Sequence, residues 1–248
     1  MVYESKAPWC ECYLPASESV IHCPTGPRGF SYIYRCRLLI SYPVVLHPFS
    51  TKIPSMIIAD KLKQTNRAEY LLYLWQVEDL LRVYDCNEDR IRNEYLSQFQ
   101  ISDDQRARMA QWYADLCEMM RSEGKRVHGH LQLCCNILQE LTELHNALLR
   151  SSHFPYYREM YYKVLPYIVE LRSKSKTAPS TTDEAPANGC PDEPELETCF
   201  DFLYGLMVLR LQGKTVSEST QRAAKDVSTL LGQLSDYYFK DKAEPLEL

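Results

Sequence analysis

The run from Ala68 to Asp85 contains no Gly or Pro and repeats its apolar residues at helical spacing. At about 100° per residue, Tyr70, Tyr73, Leu74, Val77, Leu80, Leu81 and Tyr84 share one arc of about 120°, the width of a core-facing stripe. The opposite arc is mixed. It interleaves Leu71, Leu72, Trp75 and Val83 with Glu69, Gln76, Glu78, Asp79 and Arg82. A helix apolar on two sides needs neighbours on more than one flank, so this segment predicts the central helix of an all-α domain.

Start and stop signals divide the rest into a bundle of six or seven helices with no convincing strand. Ser102 precedes Gln105 by three positions, a capping box in which each side chain satisfies a free backbone donor of the other. Met109, Trp112 or Tyr113, Leu116 and Met120 then recur until Gly124. Val127, Leu131, Cys134, Leu138, Leu141, His145 and Leu148 alternate steps of four and three, a seam suited to antiparallel packing. Pro155 opens another helix, in which Pro166 predicts a kink. The expected organisation is a main bundle over 56–172, a mobile linker over 173–194, a C-terminal helix pair over 195–240 packed on the same bundle, and a tail over 241–248.

Residues 1–55 read differently. They hold seven of the 14 Pro, carry five basic against three acidic residues, and show no helical period. They predict an unstructured extension, a mis-assigned start upstream of a true beginning at Met56. Four of the ten Cys fall here without paired metal spacing, whereas Cys86, Cys117 and Cys199 sit inside apolar patterns and read as core thiols of a reducing, cytoplasmic protein.

The formal net charge of -5 lacks the basic excess that gathers phosphate backbones, and no apolar stretch approaches the ~20 residues of a membrane span. Nucleic-acid and membrane partners are therefore not expected.

No motif specifies chemistry. None of His128, His130, His145 or His153 has a carboxylate three residues before it, as a di-iron bundle requires. Gly124-Lys-Arg-Val-His-Gly-His130 lacks the Lys and Ser or Thr of a phosphate loop after its second Gly. No catalytic residue, metal or cofactor is assigned. His145 interrupts an apolar seam and, if buried, needs a partner. His145 with Glu69, Gln76, Glu78, Arg126, His130 and Arg210 forms the candidate set for a polar pocket, should these side chains converge.

The segments Met56-Ile-Ile-Ala, Glu69-Tyr-Leu-Leu-Tyr-Leu-Trp-Gln-Val-Glu-Asp79, Gly129-His-Leu131 and Leu203-Tyr-Gly-Leu-Met-Val-Leu-Arg-Leu-Gln212 resemble a domain-of-unknown-function family, number 4924, of Bacteroidetes. The resemblance covers about residues 56–238 and implies short cytoplasmic helical proteins that begin at the Met-Ile-Ile motif. It implies no activity or substrate.

Two functions remain open on this reading. The first is a non-enzymatic interaction module for a protein partner or a second copy of the chain. The second is a small-molecule-binding or hydrolytic protein with a polar pocket between helices.

Overall fold

The computed structural model describes residues 55–176 and 195–248. The expected N-terminal extension lies outside them up to Pro54, as does the expected linker from Thr177 to Pro194. Among the described residues there are helices and no strand, the all-α class.

Helix α1, Ser55–Thr65, stops one residue before α2, Arg67–Val83. The break is Asn66, whose extended backbone ends α1 and whose side chain accepts the Glu69 N–H at 3.1 Å to cap α2. Eleven residues of α2 are buried, on both arcs of the helix, and it packs against α1, α4, α5 and α8 defined below. Its C-terminus closes with the Asp85 N–H donated to the Arg82 carbonyl and the Cys86 N–H to the Leu81 carbonyl, the Schellman pattern, with φ +55° at Asp85.

Asn87 caps a short α3, Glu88–Arg90, which widens into a π-turn over Ile91–Tyr95 and tightens into a 3-10 turn over Leu96–Gln98. The changes of pitch keep Ile91, Tyr95 and Leu96 all facing the core. Helix α4, Asp103–Ser122, starts at the capping box, with both reciprocal bonds formed, at 3.3 and 3.2 Å. Tyr113 takes the buried seam position and Trp112 its half-buried flank.

Helix α5, Gln132–Arg150, buries Cys134, Ile137, Leu141, Leu144, His145 and Leu148. The sequence seam extends too far upstream at Val127, which is 74% exposed. Gly129 at φ +81° breaks the helical path, so α5 begins only at Gln132. Helix α6, Pro155–Lys176, runs through Pro166 and past the expected linker start at Ser173. Pro166 is solvent-exposed there.

Helices α7, Glu195–Leu211, and α8, Glu218–Ala243, carry the apolar stripes Leu196, Cys199, Phe200, Leu203, Leu206 and Val227, Leu230, Leu231, Leu234. Helix α8 contacts α2, α5, α6 and α7. A polar clasp fixes it to the start of α2: the Arg67 N–H donates to Ser235 Oγ at 2.7 Å, and Arg67 and the Tyr238 hydroxyl both donate to Glu140 of α5. Each fully buried Leu, Val or Phe contributes roughly 1.5–3 kcal/mol, so the joined stripes outweigh such clasps in stability. The clasps fix register.

Candidate functional site

Trp75, Glu78, Asp79 and Arg82 stand at relative positions 0, 3, 4 and 7 on α2 and therefore on one face. The turn between α4 and α5 and two side chains of α7, Phe200 and Tyr204, fold over that face. Glu78 is 1% exposed, and each of its carboxylate oxygens is engaged. Oε1 accepts the Leu131 N–H at 2.9 Å and the Cys134 thiol at 3.1 Å. Oε2 lies 2.6 Å from His130 Nδ1.

Leu131 is the N-cap position of α5 and supplies no side-chain cap of its own. A carboxylate from another helix does this work, placed at the positive end of the α5 dipole. The Arg82 guanidinium lies 3.9 Å from Glu78 and 2.8 Å from Asp79, so the buried charge has a cation at hand.

His130 is held on two sides. Because a carboxylate accepts only, Nδ1 carries the hydrogen shared with Glu78, and in the neutral ring Nε2 is left as an acceptor. Its face stacks on Trp75, ring centroids 4.3 Å apart and planes 16° apart. The side chain stays 28% exposed. Trp75 meets Phe200 and Tyr204 of α7 edge-on, and the Tyr204 hydroxyl donates to the Asp79 carboxylate. Burial, followed by the charge of Glu78, pushes the Cys134 thiol far up, so Cys134 remains a hydrogen-bond donor and not a nucleophile.

Arg82 also fixes the turn itself. Its Nε donates to the Lys125 carbonyl at 3.4 Å, and Nη2 donates to the Gly129 carbonyl. Arg126 donates to the Asp85 carbonyl at 3.3 Å, and the Glu123 carboxylate accepts the Gln132 N–H at 2.7 Å. Residues 124–130 are thus tied at both ends while Val127 and His128 face solvent.

Of the candidate set, Glu78 and His130 converge, whereas Arg126 is exposed and reaches away from them to the Asp85 carbonyl beyond the end of α2. Glu69 lies nine residues before Glu78, about 14 Å along the helix axis, where its N–H joins the α2 cap. Gln76 turns back on its own helix, donating to the Leu72 carbonyl at 3.4 Å. Arg210 is exposed in the last turn of α7.

His145 belongs to a second polar cluster between α5, α6 and α7. It is 3% exposed, and its Nδ1 lies 2.6 Å from the Tyr157 hydroxyl. Tyr161 packs edge-on against it and donates to Glu195 at 2.6 Å. Burial lowers the His145 pKa to about 4, against a smaller opposing effect of Glu195.

Sequence reasoning passed over Asp79, Arg82, Trp75 and Tyr204 as site residues. The spacing of the first three with Glu78 was the available signal; Tyr204 gave none. Among the described residues no cluster of three or more His, Cys, Asp or Glu is arranged to hold a metal ion. No described helix is long and apolar enough to cross a membrane.

A family model described as Domain of unknown function (DUF4924) matches residues 56–245. The chain belongs to this family. No curated protein and no solved structure matches the chain. The DUF4924 span takes in every described helix except the first residue of α1, and both polar clusters lie inside it.

Proposed function

We propose that this DUF4924 protein is an interaction module that contacts a protein partner, or a second copy of itself, through the 124–130 turn. One observation carries the reading: Arg82 holds the carbonyls at both ends of a turn whose tip, Val127, is the most exposed large apolar side chain among the described residues. A turn ordered in advance loses less entropy on binding, and an apolar tip beside Lys125, Arg126 and His128 suits an acidic-rimmed hydrophobic pocket.

The test is a photo-crosslinking residue placed at Val127 and, in a separate protein, at the exposed Val169 of α6. Expected is one defined product from position 127, lost in the presence of excess wild-type protein but not of the Val127→Glu variant. Equal products from both positions, or competition by Val127→Glu, defeat the proposal.

A second reading rests on the Glu78–His130 contact. A histidine whose Nδ1–H is fixed on a buried carboxylate presents Nε2 as a general base, the orientation used in acyl-transfer sites. Ester hydrolysis by the wild-type protein that disappears in His130→Gln supports this reading, and equal rates in the two proteins remove it.

A further inference from the structure

Among the described residues, His128 and His153 are exposed, His145 is buried, and His130 alone of the histidines joins a buried carboxylate to solvent. Its Nδ1–H is fixed on Glu78 at 2.6 Å, and one face of its ring lies on Trp75, itself 2% exposed. Nε2 has no hydrogen-bond partner among the described residues and is not one of their buried polar atoms. The ring thus presents a free lone pair to solvent on a side chain held on two sides.

We propose that His130 Nε2 is a phosphoryl-accepting nucleophile, so that the protein carries a phosphohistidine at the entrance to α5. The donor is of the phosphoramidate class, to which a phosphohistidine of another protein also belongs. Nε2 attacks phosphorus in line, a new P–N bond forms, and the P–N bond of the donor breaks. The donor nitrogen, protonated beforehand, leaves as a neutral base with the bonding pair. One P–N bond replaces another, so the exchange is nearly balanced in energy, whereas an ordinary phosphate ester lies too low to drive it. The His130 proton stays on Nδ1, and the ring becomes positive as Nε2 gives up its pair.

Glu78 is the positioning residue. Its carboxylate meets the developing ring charge at Nδ1, and at 1% exposure it is little screened by water. Arg82 at 3.9 Å and the Leu131 N–H keep that carboxylate in place. The arriving phosphoryl group brings a charge of about −2 to the positive end of α5, which starts two residues after His130. Residues 124–129 include Lys125, Arg126 and His128 and no acidic residue, and Glu123 before them is engaged at the Gln132 N–H.

This use of Nε2 is separate from ester hydrolysis. Hydrolysis is scored on released product and phosphoryl transfer on a group bound to the protein, so either can fail alone.

The experiment treats full-length protein with potassium phosphoramidate at about pH 8, above the ordinary histidine range. Labelled sites are followed in time by neutral digestion and electron-transfer fragmentation, which separates His128, His130 and His145 within the tryptic peptide Val127–Arg150. Expected is labelling of His130 ahead of the more exposed His128 and His153, with a bond lost in acid and kept in alkali. His145, 3% exposed, stays unlabelled while the protein is folded. In Glu78→Gln the rate at His130 falls about tenfold or more, while His128 and His153 keep theirs. Accessibility alone predicts the opposite order, so earlier or equal labelling of any other histidine overturns the proposal. No label on His130, or an unchanged His130 rate in Glu78→Gln, overturns it as well. The order in the wild type decides the matter even if the variant does not fold.

Discussion

His145 Nδ1 and the Tyr157 hydroxyl, 2.6 Å apart, form a buried polar pair between α5 and α6 that excludes water. Burial holds the His145 pKa at about 4, against 6.5 for the ordinary group. An unfolded chain takes up this proton near pH 6.5 and the folded chain only near 4, so in that window the unfolded state binds more protons. Stability from this group is present above pH 6.5 and is lost as the pH falls towards 4, by about 3 kcal/mol in total. Urea unfolding across this range should give a steeper acid loss for the wild type than for His145→Leu. Parallel curves would remove the assignment.

Replacing His145 by Leu strands the Tyr157 hydroxyl, which is 0% exposed as a residue and has no route to solvent. The single substitution should cost about 1–3 kcal/mol, the desolvation cost of an unpaired group. Adding Tyr157→Phe should recover much of that loss, because both polar ends then disappear together. Denaturant midpoints of the two singles and the double give the coupling, and additive losses would show that the bond contributes little.

Glu78→Leu should destabilise by about 2–4 kcal/mol, since it leaves the Leu131 N–H and the Cys134 thiol without an acceptor and removes a carboxylate from Arg82. Glu78→Gln keeps one acceptor oxygen for the α5 N-terminus and should lose less. Hydrogen exchange localises the effect: the amides of residues 131–134 should exchange faster in the Leu variant than in the Gln variant. A uniform change across the bundle would contradict a capping role.

Asp85 occupies the left-handed position that ends α2, at φ +55°, with its side chain exposed. Glycine takes this conformation without a Cβ penalty, so Asp85→Gly should stabilise the protein by about 0.5–1 kcal/mol. The ion pair to Arg90 that it forfeits is exposed and worth little. A lower melting temperature for this variant would place the worth of Asp85 in that ion pair after all.

Much of the helical text was legible because helix formation rests on neighbours in sequence. The Ser102–Gln105 capping box, the apolar arc of α2 and the span of α7 all follow from residues within a few positions of one another. Val127 marks the limit of that reasoning. It continues a seam on paper, yet the left-handed Gly129 and the Arg82 clasp turn it outward. The periodicity cannot register a side chain that arrives from another helix.

The site obeys the same division. Sequence spacing by itself places Trp75, Glu78, Asp79 and Arg82 on one face of α2, because a turn of 3.6 residues leaves no choice. Only the tertiary structure decides that His130, 52 residues from Glu78, stacks on Trp75, and that Tyr204, 125 residues from Asp79, closes the other side. It likewise separates His145 from His130, although both lie on or beside α5. Convergence depends on where helices cross and how turns close, and those are set by the packing of whole apolar faces, to which no single spacing in the chain corresponds.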